Sequence, residues 1–256
     1  MSEDILTLPP PPADVRLAYG SDSNQFGDLR LPKAKATNLF PVVMNIHGGY
    51  WRAKYDLAHN GHLCAALTAK GIATWNVEYR RVGDAGGGWP GTFEDIASAC
   101  RFLPQIANRF RLDPAKILIM GHSAGGQLAL CLAAHEPLMT RAISLAGVLD
   151  LQRAYDLHLS HDAVKEFLGG RPDEVPDHYR EADPMRLPIQ ATQIVVLGEA
   201  DVDVPPDLSR HYLDAKKKIH EDVTLVEIGK ADHFDLIDPR SAAWPKVEAA
   251  VLRLLG

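Results

Sequence analysis

The sequence predicts an α/β fold: a mostly parallel, twisted sheet of about eight strands with helices on both faces and an antiparallel hairpin at its N-terminal edge. Short apolar runs alternate with helical patterns along most of the chain, which is typical of βαβ units. Two alternating segments, 15–19 and 26–31, flank the turn residues 20–25 and predict the hairpin. The sequence G-H-S-A-G at 121–125 stands between an apolar strand and a helix.

After the hairpin, strand-like and helix-like segments follow one another in a regular order. Strands are predicted at 41–46, 72–79, 116–120, 142–145, 193–197 and 223–228, and helices at 56–70, 92–110, 127–134, 206–218 and 241–255. Gly71 follows the first of these helices, as expected after a helix C-terminus. Thr92 and Asp95 have the spacing of a capping box, which predicts the start of the second.

No break in composition divides the chain, so a single domain is expected to span residues 1–256. Residues 150–188 are polar and interrupted by prolines, with only short helical patches. Long loops inside compact domains tend to be functional. We therefore predict that this insertion forms a small cap over the site.

Charge and composition restrict the class of partner. The 256 residues carry a formal net charge of −6, with acidic and basic side chains interspersed, whereas nucleic acids and anionic membranes require clustered positive charge. A small-molecule substrate is expected rather than nucleic acid or a membrane, and the oligomeric state is left open.

The compartment follows from the first residues and from the cysteines. Acidic residues stand where a signal peptide has basic ones, and no stretch reaches transmembrane length, so a cytoplasmic location is expected. Cys64, Cys100 and Cys131 fall inside apolar helical patterns without paired spacing, which predicts buried thiols. The sequence shows no clustered metal-ligand set, and neither a metal nor another cofactor is expected.

Ser123 is the predicted nucleophile. A strand, G-x-S-x-G and a helix together are the context in which a serine occupies a sharp turn with its hydroxyl exposed. Gly121 and Gly125 leave room where the backbone turns back on itself, and His122 is expected to pack against the sheet. The pattern alone arises by chance in about one of ten chains of this length, so the flanking strand and helix give it its weight.

The acid and the base are predicted from the ends of two later strands, because reactive groups in such a sheet lie on loops at the carboxyl ends of the strands. His233 follows the last predicted strand and is the expected general base, since an imidazole titrates near pH 6.5. Activity should therefore fall as the pH drops through about 6–7. Asp201 and Asp203 follow the strand before it. Asp201 is preferred because it is closer to the strand end, and Asp150 is a more distant alternative.

Donors for a developing oxyanion are predicted on two loops. The N–H of Ala124 stands at the N-terminus of the helix that follows Ser123. Gly48 and Gly49 follow the strand at 41–46, and glycines allow backbone N–H groups to approach a substrate closely. One such donor is worth about 3–4 kcal/mol in the transition state.

H-G-G-Y-W at 47–51 and G-H-S-A-G-G at 121–126 resemble the α/β-hydrolase superfamily of serine esterases. Within it the chain is similar to the hormone-sensitive-lipase-like esterases and, more closely, to the kynurenine formamidase (arylformamidase) branch, where His-Gly-Gly-aromatic-Trp is usual. The likeness extends from about Val15 over nearly all of the remaining chain. It includes D-x-x-V-P beginning at Asp201 and D-H-F around His233.

This resemblance implies a catalytic triad and an oxyanion hole. The triad it implies is Ser123, Asp201 and His233, and the oxyanion hole is Gly48, Gly49 and Ala124. The chain departs from the lipase-like branch at Tyr50, where that branch usually has a third glycine.

Two activities fit these residues. One is hydrolysis of small carboxylic esters through an acyl-enzyme, and the other is arylformamidase activity on an amide of the N-formylkynurenine type. A non-catalytic, ligand-binding member of the fold is a third alternative, but it predicts the loss of a triad residue, and all three residue types are present. Tyr50, Trp51 and Trp89 lie in loops near the predicted site and are expected to shape the substrate pocket, although Trp89 fits a place in the core equally well.

Overall fold

The computed structural model describes residues 2–33, 39–136 and 139–256. Eight strands lie within these residues: β1 (Val15–Ala18), β2 (Phe26–Arg30), β3 (Phe40–Ile46), β4 (Ala73–Val77), β5 (Leu112–His122), β6 (Arg141–Leu145), β7 (Thr192–Gly198) and β8 (Val223–Ile228). They form one sheet in the order β1-β2-β4-β3-β5-β6-β7-β8. β2 runs antiparallel to β1 and to β4, and the remaining neighbours are parallel. The predicted mostly parallel sheet with its antiparallel N-terminal hairpin is confirmed.

Helices cover both faces of this sheet. Eight α-helices lie within the described ranges: α1 (Gly61–Ala69), α2 (Gly91–Phe110), α3 (Ala124–His135), α4 (Leu151–Asp156), α5 (Ala163–Leu168), α6 (Pro176–Ala182), α7 (Pro206–Lys218) and α8 (Trp244–Leu255). Side chains of β3 alternate between two hydrophobic clusters, with Met44 and Ile46 facing α2 and α3 and Val43 facing α1 and α8. Burial on both faces explains why β3 and the second half of β5 are largely apolar.

The start of α2 differs from its prediction. The helix begins at Gly91, and the Thr92 hydroxyl donates to the Arg80 carbonyl at 2.6 Å instead of capping the helix. The Asp95 carboxylate is buried and accepts two hydrogen bonds from the Arg80 guanidinium. The capping-box prediction is therefore wrong, because a long-range charge pair takes the acid that the local motif would have used.

Residues 150–188 contain α4, α5 and α6, as the short helical patches indicated. Phe167 of α5 stacks on Trp51, with ring centroids 4.5 Å apart. Arg52 donates to Glu166 at 2.7 Å, and Gln127 of α3 donates to the Ala182 carbonyl at 2.7 Å. The cap therefore packs against α3 and the segment that follows β3. No residue of 150–188 is among those that line the cavity described below, and the position of the cap over the site stays a prediction.

Two further observations concern the rest of the chain. Cys64, Cys100 and Cys131 are free and buried, as predicted, and burial raises the pKa of each thiol. Across the described residues, no helix has both the length and the apolar character that crossing a lipid bilayer requires.

Candidate active site

Ser123 occupies the sharp turn between β5 and α3. Its backbone has φ 57° and ψ −122°, a strained combination for a residue that carries a side chain. Its N–H donates to the Leu145 carbonyl at 2.8 Å, which ties the turn to β6. A Cβ atom on Gly125 would lie 2.1 Å from the Ile46 carbonyl oxygen, and one on Gly121 would lie 2.0 Å from the Gly125 carbonyl oxygen. Both glycines are therefore needed for the close approach of neighbouring backbone.

His233 and Asp201 meet at the carboxyl ends of β8 and β7. The Nδ1 atom of His233 lies 2.7 Å from Oδ2 of Asp201, and both side chains are buried. Oδ1 of the same carboxylate accepts the backbone N–H groups of Asp203 and Val204, each at 2.9 Å. A carboxylate fixed in this way orients the imidazole and selects the tautomer protonated on Nδ1. Nε2 is the ring nitrogen that this pairing leaves for a reacting group.

The other two candidate acids have different surroundings. The Asp203 carbonyl accepts the Tyr50 hydroxyl at 2.6 Å, and burial raises the pKa of the Asp203 carboxyl above its usual value. Asp150 caps the N-terminus of α4. Of the three aspartates considered from the sequence, Asp201 is the one hydrogen-bonded to His233.

Ser123 and His233 line the same cavity, which has a volume of about 60 Å³. The other lining residues come from the N-terminal turn, from the segment that joins β3 to β4, from the end of β5, and from the loops that follow β7 and β8: Leu6, Gly49, Tyr50, Tyr55, His59, His122, Asp203 and Phe234. One water occupies about 10–15 Å³ of such space. The cavity therefore has room for a small group beside Ser123 and His233.

Two histidines of this lining are held neutral. Burial lowers the pKa of His59 to about 3, and it also lowers the pKa of His122 well below its usual value, with the neighbouring His233 adding to the effect. Nε2 of His122 lies 2.9 Å from the His233 carbonyl oxygen. His122 thus does more than pack against the sheet, because its side chain links the turn at Ser123 to the loop after β8 that contains His233.

The loop after β3 lies directly against the serine. A Cβ atom on Gly48 would be 2.9 Å from Cβ of Ser123, and Gly49, with φ 113°, lines the cavity. Tyr50 has φ 49°, a left-handed conformation that glycine adopts at lower cost. The tyrosine therefore keeps the backbone shape expected for a third glycine and adds an aromatic wall. Ala124, the first residue of α3, is buried next to Ser123.

Residues 28–215 match the BD-FAE family model. The chain belongs to the BD-FAE family. It is 25% identical over 244 residues to Esterase LipC of Mycobacterium tuberculosis, a match that covers 87% of this chain and 60% of LipC. It is also 25% identical over 239 residues to the kynurenine formamidase of Drosophila melanogaster, covering 87% of this chain and 75% of that one. The chain thus spans 60% of the length of LipC.

This BD-FAE family member has the α/β-hydrolase fold. A truncated carbohydrate esterase from gut microbiota superposes on it with a TM-score of 0.82 at 19% identity, over 97% of this chain and 99% of that one. Esterase B of Lactobacillus Rhamnosis superposes with a TM-score of 0.81 at 18% identity, over 99% and 89% of the two chains. The fold expected from the sequence resemblance is confirmed.

A buried ion network supports the loop after β3 in this BD-FAE family chain. Nε2 of His47 lies 2.9 Å from Oε1 of Glu78, and Nδ1 lies 2.7 Å from the Gly48 carbonyl oxygen. Arg81 lies 2.9 Å from the same Glu78 oxygen. Although burial opposes the charge of Glu78, His47 and Arg81 hold its pKa below the usual value. Glu78 was not identified from the sequence. Its position directly after β4, at the carboxyl end of a strand, was the feature that could have indicated a role near the site.

Trp51 and Trp89 do not reach the cavity, which corrects the prediction that they shape the substrate pocket. Trp51 is fully buried, stacks on Phe167 and donates from Nε1 to Gln127 at 3.0 Å. Trp89 packs against Phe93, with ring centroids 5.3 Å apart. Both rings contact Phe167 of the cap. Of the three predicted aromatic residues, Tyr50 is the one that lines the cavity.

Asp201, Asp203 and His233 also bring possible metal-ligand atoms within 4.8 Å of one another, in the part of the chain that the structure describes. The Asp201 carboxylate is already used, with Oδ2 bonded to His233 and Oδ1 to two backbone N–H groups. Since Oδ1 and Oδ2 of Asp201 and Nδ1 of His233 already have hydrogen-bond partners, the group fits an oriented acid–base pair better than a metal centre.

Proposed function

We propose that this chain is a serine hydrolase that cleaves small carboxylic esters. The observation that carries the proposal is the 2.7 Å pairing of His233 with Asp201, on the same cavity that Ser123 lines. A serine on a strained strand-to-helix turn, an oriented imidazole and a buried carboxylate are the groups that acyl transfer requires.

The reaction begins when the Ser123 hydroxyl attacks the ester carbonyl carbon and His233 accepts its proton on Nε2. Asp201 stabilises the resulting imidazolium through Nδ1. The N–H groups of Gly49 and Ala124, with Gly48 beside them, donate to the oxyanion, where each donor is worth about 10²–10³ in kcat. His233 then returns the proton to the alkoxide oxygen, the alcohol leaves, and acyl-Ser123 remains. Water, activated by the same imidazole, releases the acid.

The similar proteins agree with an ester bond as the target. LipC is an esterase by name, and the two superposed structures are described as esterases. Because the chain spans 60% of LipC, the assignment of substrate rests on the site itself, which has an acid–base pair and room for a small group.

The proposal is tested with a fluorophosphonate probe and p-nitrophenyl acetate. The probe is expected to label Ser123, and Ser123→Ala is expected to abolish both labelling and turnover. Asp201→Asn and Asp203→Asn form a matched pair: the first should lower kcat by about 10⁴, and the second should have a much smaller effect because Asp203 contributes its backbone N–H to the pair. Equal losses in the two variants, or an unlabelled wild type, would refute the triad.

Arylformamidase activity is the second candidate, and one observation favours it. The match to the Drosophila kynurenine formamidase covers 87% of this chain and 75% of that enzyme. A formyl group is the smallest acyl group and fits a cavity of about 60 Å³. The two activities are separated by kcat/KM for N-formylkynurenine and for p-nitrophenyl acetate measured on one preparation. A ratio above unity favours the amide, whereas turnover of neither substrate points to a ligand-binding role.

A further inference from the structure

The N-terminal turn Ser2–Leu6 packs into the protein beside the site. Ile5 is 1% exposed and belongs to the same hydrophobic cluster as Leu236 and Ile237, which follow His233 by three and four residues. The two backbone N–H groups that follow Leu6 both donate to the Asp4 carbonyl, at 3.1 Å. The turn is therefore anchored on the elements that hold His233.

Leu6, the last residue of this turn, lines the cavity that contains Ser123 and His233. It is partly buried and packs against the same hydrophobic cluster as Phe234, another lining residue. Leu6 belongs to none of the strand-end loops that carry the polar chemistry. A change at Leu6 therefore alters the shape of the cavity while leaving the acid–base pair in place.

The lining residues also determine which charges the cavity accepts. No lysine or arginine is among the described residues that line it. His59 is neutral at neutral pH because burial lowers its pKa to about 3. Asp203 is the acidic lining residue. Burial, and then the nearby charges of Asp201 and Glu3, raise the pKa of its carboxyl. An acyl group with a carboxylate would meet negative charge there and find no cation.

We propose that Leu6 is a specificity-determining residue that limits the length of the acyl group, and that the substrates are uncharged esters of short acids with about two to four carbons. This inference rests on the proposed ester hydrolysis. The acyl group remains bonded to Ser123 until water arrives, whereas the alcohol has to leave. The wall at Leu6 is therefore assigned to the acyl group, which stays bonded to Ser123 inside the cavity that Leu6 lines.

The test measures kcat/KM for p-nitrophenyl esters from acetyl to octanoyl. Wild type should lose activity beyond butanoyl. Leu6→Ala removes three carbons from the wall, and each acyl methylene that gains apolar contact should raise kcat/KM about fourfold. The ratio of hexanoyl to butanoyl should therefore rise about fifteenfold in L6A relative to wild type. Leu6→Phe should shift the limit toward acetyl, which keeps the test informative if L6A is unstable.

Leu254→Ala is the matched control, because Leu254 packs partly buried against the same cluster but does not line the cavity. It should keep the chain-length profile of wild type. If the wild type hydrolyses esters but neither L6A nor L6F changes the dependence of kcat/KM on acyl length, this inference alone is overturned. The same holds if L254A shifts that dependence as much as L6A does. A wild type that neither turns over esters nor reacts with the phosphonate overturns the proposed function as well.

A second measurement addresses charge. Wild type should hydrolyse the p-nitrophenyl ester of butanoic acid about two- to fivefold faster than the p-nitrophenyl monoester of succinic acid, because Asp203 is exposed and water screens the repulsion between exposed charges. Equal rates would overturn the statement that the substrates are uncharged.

Discussion

Replacing Asp183 with asparagine removes a carboxyl group that the cap keeps out of water. Asp183 follows α6 and is fully buried. Its Oδ1 atom accepts the N–H groups of Leu151 at 3.2 Å and Met185 at 3.1 Å, and Arg186 lies 3.7 Å from Oδ2. Burial outweighs these contacts and raises the pKa of Asp183 to about 7.

The sign of the effect follows from the difference between the folded and unfolded states. Asp183 binds its proton more tightly in the folded protein, with a pKa of about 7 against an ordinary 3.8. Its contribution to the free energy of unfolding is therefore greatest below about pH 4 and falls as the pH rises, by about 1.4 kcal/mol per pH unit. The loss ends above about pH 7 and amounts to about 4 kcal/mol in all. Asparagine has no proton to lose.

Urea unfolding at pH 5, 6, 7 and 8 measures this difference. Between pH 5 and pH 7, the stability of Asp183→Asn relative to wild type should rise by about 2.3 kcal/mol, because a group with a pKa of about 7 is half ionised at pH 7 in the folded protein. Asp177→Asn is the control, since Asp177 is an exposed carboxylate of the same cap, and its difference from wild type should stay nearly constant. If wild type and D183N give parallel stability curves over this range, the buried-carboxyl argument is refuted.

Three other substitutions test the packing around the site. A methyl group on Gly125 would lie 2.1 Å from the Ile46 carbonyl oxygen, so Gly125→Ala should lower stability by about 3 kcal/mol or more in thermal unfolding, and an unchanged midpoint would contradict the clash. Glu78→Gln removes the buried acid beside His47 and should cost about 3–5 kcal/mol and reduce turnover; retention of both would show that the ion network does not support the loop. Arg52→Met removes a half-exposed ion pair with Glu166 and two hydrogen bonds to Ser160 of the cap and should cost about 2 kcal/mol in urea unfolding, whereas a loss as large as that in E78Q would contradict this ranking.

The parts of the site that lie at strand ends were predictable from the sequence. Strands β3 and β7 and the second half of β5 are largely apolar because both faces of the sheet are covered, and parallel strands bring their carboxyl ends to one edge. Counting along the chain was therefore sufficient to predict that Ser123 and His233 would line one cavity. The preference for Asp201 over Asp203 was a weaker inference from distance to the strand end, and the hydrogen bond to His233 agrees with it.

The parts that depend on long-range packing were not predictable in this way. From sequence alone, an aromatic residue next to a site loop fits two roles: it can line the substrate cavity, or it can pack against another element of the fold. Which role it takes depends on the residues that contact it. Trp51 meets Phe167 of the cap, whereas Tyr50 meets the backbone of Asp203. Leu6 lies at the cavity because Ile5 is buried beside it, and no local pattern reports that contact.

Gln127 joins three parts of the protein through one amide group. Its carbonyl oxygen accepts from Trp51 in the segment after β3, its nitrogen donates to Ala182 of the cap, and its backbone belongs to the helix behind Ser123. Buried amides leave little tolerance for a lost partner. A cap taken from another member of the BD-FAE family would therefore not function as an interchangeable module in this chain. The segment after β3, helix α3 and the cap would have to be transplanted together. The crossover points of a chimaeric enzyme therefore have to lie outside these three parts.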